Sequence, residues 1–262
     1  MPEGDTLYRT AARLRPVLEQ KVLRATEFRV PQFAAADLAG QLVTDVRSKG
    51  KHLLISTPEA VIWSHLKMEG FWRTYRTDEQ WNAPAHAARC VLAVEGWQAV
   101  GFWLGFLRVL TPEEATDELA FLGPDPLHDW DADLALANLA AHPDVPVGLA
   151  ILNQRLIAGL GNVYRCEVCF IAGVHPLTPI GDLPDGVLRR IVDLGARLLQ
   201  ANKDRSRRNT TGGAGGSPAW VYGRGGKPCL KCRTRIASEI VAERVLYWCP
   251  SCQPLADGIS TP

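Results

Sequence analysis

The sequence lacks any uninterrupted apolar stretch of the ~18 residues that a membrane-spanning helix needs. Its beginning also lacks the basic and apolar segments of a secretory signal, so we expect a cytoplasmic protein. Cysteine is scarce: seven residues, an odd number, in a chain of 262 do not make a disulfide framework. These absences exclude a membrane protein, a secreted disulfide knot and, with the mixed composition, a coiled coil.

A large excess of either charge is also absent, since the net charge is only +1. The charges are nevertheless unevenly placed. Residues 1–184 contain 16 Lys/Arg against 22 Asp/Glu, and residues 185–262 contain 13 against 6. A basic part beside an acidic part indicates a polyanionic partner on one face. An ordinary solvated surface explains the same distribution, so charge alone leaves both interpretations open.

The first half of the chain predicts one helix followed by a β-rich domain. Between Asp5 and Glu19 apolar residues recur every three or four positions, which is typical of an amphipathic helix, and Asp5 is a suitable cap. Short apolar runs separated by turn-forming residues then predict an antiparallel sandwich or barrel. The clearest of these runs are 52–56, 60–66, 70–76, 89–94 and 97–104.

The second half predicts helices. Thr111 and Pro112 form a good helix start, with Thr as the cap and Pro in the first turn. Further helices are expected near 131–141, 146–153, 162–172 and 185–202. Residues 203–218 are poor in apolar side chains and rich in glycine, so we expect a mobile loop there.

Four cysteines near the C-terminus give the strongest local signal. Two Cys-x2-Cys pairs, separated by sixteen residues, present four thiolates to one tetrahedral Zn²⁺. The predicted ligands are Cys229, Cys232, Cys249 and Cys252. A segment this short has little core of its own, so the zinc is structural. Cys166 and Cys169 have no second pair to complete a site, and we interpret them as buried thiols.

Pro2 becomes chemically interesting if the initiator Met1 is removed, because the terminus is then a secondary amine. An α-amine has a pKa near ~8, so an appreciable fraction is unprotonated at neutral pH. Such an amine attacks an aldehyde-like carbon and forms an iminium. Glu3 follows directly and is able to donate or accept a proton. Taken alone, this Met-Pro-Glu start is common and uninformative.

Three features together resemble the formamidopyrimidine-DNA glycosylase and endonuclease VIII family. They are the Pro2-Glu3-Gly4 start, the Gly159–Asn162 turn that opens a helix, and the four-cysteine hairpin. The resemblance covers nearly the whole chain in the right order. It implies an enzyme that removes oxidised bases from DNA and then cuts the strand as a lyase, with one structural zinc and no diffusible cofactor. Gly4, where the formamidopyrimidine branch usually has Leu, is more similar to the endonuclease VIII branch.

The resemblance also implies roles for individual residues. Pro2 matches the nucleophile and Glu3 the acid that assists sugar opening. Lys51 matches a lysine on a sandwich strand that contacts the phosphate of the lesion and supports catalysis; Lys49 and Lys51 would alternate onto one face. Arg244 matches the phosphate-gripping arginine of the zinc hairpin.

Five further residues are implied to contact DNA. Asn162, preceded by Gly161, matches a phosphate-binding asparagine at a helix N-terminus, where backbone N–H groups favour an anion. Residues 65–70 resemble a turn that fills the gap left by a flipped base, with Met68 as the wedge beside Lys67. Composition alone equally allows a core methionine at position 68. Arg108 is a second candidate filler in a loop that matches neither branch well.

The sequence departs from the family pattern at two places, one near the N-terminus and one before the Asn162 turn. Asp5 and Thr6 stand where many members have Pro and Glu, which puts lesion preference in doubt. Asn153 and Gln154 stand where an acid is frequent before the asparagine turn.

We therefore predict an α+β multidomain protein, a monomer that binds DNA containing damaged bases or abasic sites and has no membrane contact. Its parts are an N-terminal antiparallel β-sandwich with a leading helix (1–122), a linker (123–130), a helix–two-turn–helix domain (131–220), a zinc-finger hairpin (221–254) and a tail (255–262). DNA is expected between the two main domains, in a cytoplasmic, nucleoid-associated enzyme.

The expected reaction is glycosidic cleavage through a Pro2 iminium, then β,δ-elimination, with oxidised pyrimidines as the expected bases. One alternative is an 8-oxoguanine or formamidopyrimidine specialist of the same family. Another is a non-catalytic zinc-finger DNA-binding protein, which would need neither Glu3 nor Lys51.

Overall fold

A computed structural model describes residues 2–213 and 216–255 of the chain. The chain divides into two compact units, Met1–Phe121 and Leu122–Pro262. Most of the predicted tail, from residue 256 onward, lies outside the described residues. Within the described ranges, no helix is both long enough and apolar enough to cross a membrane.

The first unit is an antiparallel β-sandwich with a leading helix, as predicted. Its two sheets have the strand orders β1-β6-β7-β5 and β2-β3-β4-β8, and every neighbouring pair is antiparallel. The elements are α1 (Gly4–Leu18), β1 (Ala25–Phe28), β2 (Asp45–Lys49), β3 (His52–Ser56), β4 (Val61–His65), β5 (Phe71–Arg76), β6 (Ala88–Val94), β7 (Trp97–Phe102), β8 (Phe106–Leu110) and α2 (Pro112–Leu119).

The apolar stripe of α1 is fully buried in the core of this unit. Leu7, Leu14 and Leu18 are at most 1% exposed and pack in one cluster with Leu53 and Ile55 of β3. Burying each such leucine stabilises the fold by about 1.5–3 kcal/mol. The helix carrying the N-terminus is therefore fixed to the sheet whose β2–β3 turn contains Lys51.

The predicted cap of α1 is wrong. Glu3 is the N-cap, and Asp5 lies inside the first turn. The Asp5 carboxylate forms an ion pair with the guanidinium of Arg9, four residues later, at 3.4 Å. A carboxylate one residue into a helix is favoured by the helix dipole without being the cap. The cap of α2, in contrast, is as predicted: the Thr111 hydroxyl accepts the Glu114 N–H at 3.2 Å.

The second unit is helical and ends in a two-stranded hairpin. Its elements are α3 (Ala132–Ala140), α4 (Val147–Ala150), α5 (Asn162–Ala172), α6 (Val187–Asn202), β9 (Ala237–Val241) and β10 (Arg244–Trp248). All four predicted helices are present, but α4 is shorter than expected because the chain turns at Leu152 and Asn153 to approach α5. Helix α5 is buried from Asn162 to Phe170, so its charged residues lie in the interior.

Two segments are better ordered than the sequence indicates. Part of the predicted linker is bonded into the second unit: Gly123 N–H donates to the Gln154 carbonyl at 2.9 Å, and Pro124 accepts from Ala158 at 3.0 Å. The second half of the predicted mobile loop is closed by a hydrogen bond, since Thr210 N–H donates to the Pro218 carbonyl at 2.9 Å. Residues 214–215 at its tip lie outside the described residues.

Candidate nucleic-acid interface and metal centre

The N-terminal residues of the described chain sit at the start of α1. Pro2 is half-buried, and Glu3 is fully buried at the N-cap. The Thr6 hydroxyl accepts the Glu3 backbone N–H at 3.4 Å, and Leu7 N–H donates to the Glu3 carbonyl at 3.2 Å. Thr6, one of the two departures from the family pattern, therefore fixes the backbone that carries Glu3. This arrangement holds a carboxyl group one residue from the proline.

Lys51 does not lie on a strand, so the expected alternation of Lys49 and Lys51 on one face is wrong. Lys49 ends β2 and pairs with His52 at the start of β3, which leaves Gly50 and Lys51 as a two-residue turn. Gly50 has a φ of +56°, a left-handed conformation that favours glycine. The hairpin tip therefore presents Lys51 apart from the sheet surface.

Aromatic and imidazole rings lie directly behind this hairpin. The His52 ring is 5.2 Å from both the Trp63 and His65 rings, centroid to centroid, and its Nδ1 has no hydrogen-bond partner. Burial, and then His65 and Lys51, lower the pKa of His52 to about 3. His52 is therefore neutral at pH 7, and it is not among the site residues predicted from the sequence. Its only sequence signal is its position beside Lys51.

The lowered pKa values of two histidines indicate that the free energy of unfolding decreases in acid. Burial also lowers the pKa of His175, in the second unit, to about 4. Because both histidines bind fewer protons when folded, stability falls as pH drops below the ordinary value near 6.5, by up to about 1.4 kcal/mol per pH unit for each group. In an NMR titration the His52 ring signals should show a neutral imidazole down to pH 5. The His52→Gln variant, which lacks these signals, assigns them. A His52 signal titrating near pH 6.5 would contradict this.

The segment between β4 and β5 presents an exposed methionine. The His65 Nδ1 accepts the Lys67 backbone N–H at 2.8 Å, and Gly70 N–H donates to the Leu66 carbonyl at 2.9 Å. A Cβ at position 70 would lie 2.6 Å from the Leu66 carbonyl oxygen, so this turn requires glycine. Met68 is 66% exposed, so it is not a core residue. An exposed, flexible apolar side chain on a tight turn suits a wedge.

Arg108 does not lie in a loop, contrary to expectation. It is within β8, opposite Trp63 of β4, with its guanidinium 5.9 Å from the Trp63 ring centroid. It also forms an ion pair with Glu118 of α2 at 2.5 Å. A role as a second gap-filling residue stays a prediction, and it requires this ion pair to break.

In the second unit, Asn162 is the first residue of α5 and Gly161 is the N-cap, as predicted. Gln154 builds the turn before it. Its carboxamide accepts the Gly159 N–H at 2.9 Å and donates to the Leu160 carbonyl at 2.9 Å. A carboxylate is unable to donate the second bond, which gives the departure at position 154 a physical reason.

The hairpin of β9 and β10 lies against the start of α5. Asn162 is buried, and its Nδ2 donates to the Val245 carbonyl at 2.8 Å. Val245 directly follows Arg244, the first residue of β10. The structure therefore places the two predicted phosphate-binding residues of this unit, Asn162 and Arg244, at one location.

The four predicted zinc ligands come together. Their sulfur atoms all lie within 4.8 Å of one another, and they form the one such His/Cys/Asp/Glu group among residues 2–213 and 216–255. Sγ–Sγ distances are 3.9 Å for Cys229–Cys252, 3.4 Å for Cys232–Cys249 and 3.5 Å for Cys232–Cys252. A Zn–S length of about 2.3 Å in a tetrahedron requires sulfurs about 3.8 Å apart, so the cluster fits one Zn²⁺. Cys166 and Cys169 are buried in α5 and are not members of this group.

Zinc removal should unfold the hairpin, because metal binding supplies most of the folding energy of such a segment. Cys249→Ser is expected to bind less than one zinc per chain and to lose DNA affinity, since Arg244 and the Val245 carbonyl are no longer positioned. The matched control is Cys90→Ala, at a buried cysteine of the sandwich, which should retain one zinc. Atomic absorption and DNA titration measure both effects. Undiminished DNA binding by metal-free protein would refute the prediction.

Glu167, which is not among the predicted site residues, is fully buried in α5. Its carboxylate accepts the backbone N–H groups of Trp220, Val221 and Tyr222 at 2.8–2.9 Å and the Thr210 hydroxyl. Glu167 therefore connects Thr210, within the loop that the sequence predicts to be mobile, to residues 220–222, which follow that loop. Its signal in the sequence is a second charged residue, two positions after Arg165, in a mainly apolar helix.

Three segments of the chain match models of known protein families. Residues 1–103 match the formamidopyrimidine-DNA glycosylase N-terminal domain, residues 122–208 the formamidopyrimidine-DNA glycosylase H2TH domain, and residues 226–255 a zinc finger found in FPG and IleRS.

Relatives and solved structures agree. The chain is 47% identical to the DNA-(apurinic or apyrimidinic site) lyase Nei2 of Mycolicibacterium smegmatis, over 97% of this chain and 99% of that protein. It is 44% identical to the probable endonuclease 8 2 of Streptomyces coelicolor, over 97% and 94%. The crystal structure of Lactococcus lactis Fpg with DNA containing N7-benzyl-Fapy-dG matches with a TM-score of 0.83 at 22% identity, over 97% of this chain and 100% of that one, which shows the fold. The chain belongs to the formamidopyrimidine-DNA glycosylase and endonuclease VIII family of DNA-repair glycosylase-lyases.

Proposed function

We propose that this protein is a bifunctional DNA glycosylase and abasic-site lyase that removes oxidised pyrimidines from DNA. The observation that carries the proposal is the pairing of Pro2 with a fully buried Glu3 at the start of α1. A non-catalytic DNA-binding protein could use Glu3 as the cap of α1, but it would not need a secondary amine next to that carboxyl group. The relatives named as a lyase and as a probable endonuclease support the same assignment.

The reaction begins once Met1 has been removed. The Pro2 nitrogen attacks C1′ of the damaged nucleotide, the C1′–base bond breaks, and the base leaves with its electron pair and a proton. Opening of the sugar ring gives an iminium between Pro2 and C1′, with Glu3 as the group that protonates the ring oxygen. The iminium acidifies the C2′ proton, and successive β- and δ-elimination expel the 3′- and 5′-phosphates. Water then hydrolyses the iminium and restores Pro2.

The remaining predicted residues hold the DNA. We assign Lys51, at the hairpin tip, to the phosphate beside the damaged nucleotide, and Met68 with Lys67 to the space that the flipped base leaves. In the second unit, Arg244 and the second N–H of the Asn162 carboxamide are assigned to a backbone phosphate. A DNA substrate also agrees with the expected cytoplasmic, nucleoid-associated location and with a monomer.

Borohydride trapping tests the proposal. The reductant converts the Pro2 iminium to a stable amine, so incubation with DNA carrying one oxidised pyrimidine should give a covalent complex. A panel of single-lesion duplexes distinguishes the alternatives. Trapping confined to 8-oxoguanine or formamidopyrimidine DNA would identify a purine specialist, and binding without trapping on any lesion or abasic site would identify a non-catalytic protein.

A further inference from the structure

The start of α5 contains a buried cation that none of the roles above explains. Arg165 is fully buried, and it is the largest of the fully buried side chains. None of the ion pairs among the described residues involves it, and its Nε has no hydrogen-bond partner. A buried charge without a counter-ion is costly, so some other interaction of Arg165 has to offset that cost.

The surroundings of Arg165 add to this positive charge. It lies in the first turn of α5, where the helix dipole disfavours a cation. Burial, and to a smaller extent the charge of Arg244, lower the pKa of the Arg165 guanidinium. The thiols of Cys166 and Cys169 raise this pKa. Burial raises the pKa of Cys169, so that thiol is neutral at pH 7. The start of α5 is therefore electrostatically prepared for an anion.

Arg165 also determines how the Asn162 carboxamide is turned. Its Nη2 donates to the Asn162 Oδ1, and the Asn162 Nδ2 donates to the Val245 carbonyl at 2.8 Å. A guanidinium has donors and no acceptor, so the oxygen of Asn162 must face Arg165. The nitrogen must then face the hairpin strand β10. Exchanging the two ends of the carboxamide would set donor against donor at Arg165 and acceptor against acceptor at Val245.

We propose that Arg165 is a positioning residue for phosphate binding, which orients the Asn162 carboxamide and connects it to the hairpin that carries Arg244. This inference rests on the proposed DNA-binding function of Asn162 and Arg244. Arg165 itself is not assigned to DNA, because its guanidinium is directed at the Asn162 oxygen. It presents the amide nitrogen of Asn162 as the donor and adds a nearby positive charge that strengthens the contact.

A double-mutant cycle on DNA affinity tests the coupling. The variants are Arg165→Met, Asn162→Ala and the double variant, with a duplex containing a stable abasic-site analogue and the zinc-loaded full chain. Arg165→Met should weaken binding about tenfold, the loss of one charge-assisted hydrogen bond. In the Asn162→Ala background the same substitution should cost less than about threefold, since no carboxamide remains to be oriented.

Two controls keep a folding defect separate. Arg197→Met removes an exposed arginine of α6, and its effect should be the same with and without Asn162. Zinc content shows whether the hairpin is intact in each variant. Should Arg165→Met not fold, Arg165→Lys replaces it in the cycle; a lysine keeps the charge but not the guanidinium geometry, so coupling to Asn162 must still appear.

Equal effects of the Arg165 substitution in both backgrounds, in folded and zinc-loaded protein, would overturn the inference. So would unchanged affinity in Arg165→Met. Failure of the proposed function is a different result, in which the wild-type protein itself neither prefers the abasic-analogue duplex nor forms a trapped complex with lesion DNA.

Discussion

Pro2→Gly is expected to reduce borohydride trapping on lesion DNA by about a hundredfold or more. Glycine leaves a primary amine on an unconstrained residue, so the nitrogen is less nucleophilic toward C1′ and is no longer held at the start of α1. The substitution lies outside the helix, which begins at Gly4, so the sandwich should fold normally. Single-turnover trapping with an oxidised-pyrimidine duplex measures the loss.

Retention of Met1 provides the matched control for the same mechanism. It leaves every side chain in place and changes only the Pro2 nitrogen, which becomes an amide and loses its lone pair to resonance. Protein whose mass includes Met1 should bind DNA but form no covalent complex. Full trapping by such protein would show that another group is the nucleophile, whatever the result for Pro2→Gly.

The sequence predicts best where short-range chemistry decides the structure. The helix start at Thr111 is a capping box that needs four consecutive residues, and the turn before Asn162 depends on glycines at fixed positions. The zinc cluster follows from the spacing of its ligands, because two Cys-x2-Cys pairs on a short hairpin have few other ways to satisfy a metal. In each case the relevant atoms are neighbours in sequence or are brought together by one ion.

Long-range packing explains what the sequence did not predict. The position of Lys51 depends on the register of β2 against β3, and a shift of one residue moves it from a strand into the turn. Arg108 finds Glu118 only once β8 and α2 are packed together. Arg165 and Glu167 belong to a helix buried on all sides, so hydrophobic periodicity gives no sign of which polar residue faces which partner.

Glu3→Gln separates chemistry from binding. The substitution keeps the size and hydrogen-bonding shape of the side chain but removes the proton that it transfers, so base excision should fall by about 10²–10⁴-fold. DNA affinity should change little, because phosphate contacts supply most of it. Single-turnover excision and dissociation constants across a salt series measure the two quantities on the same duplex. Wild-type excision by Glu3→Gln would show that another group is the acid.

Two matched variants make the result specific. Asp5→Asn removes a second fully buried carboxylate from the same helical turn, two residues away and paired with Arg9. If the loss in Glu3→Gln came from the missing negative charge at the helix N-terminus, Asp5→Asn would lose as much activity. If the loss comes from the missing proton transfer, Asp5→Asn retains most of the activity.

Arg244→Ala should give the opposite pattern to Glu3→Gln, with weaker DNA binding and a salt slope shallower by about one unit, because it removes a phosphate contact. A slope unchanged in Arg244→Ala would mean that the zinc hairpin holds DNA through other residues, while the assignment of Glu3 would stand on the excision rates alone.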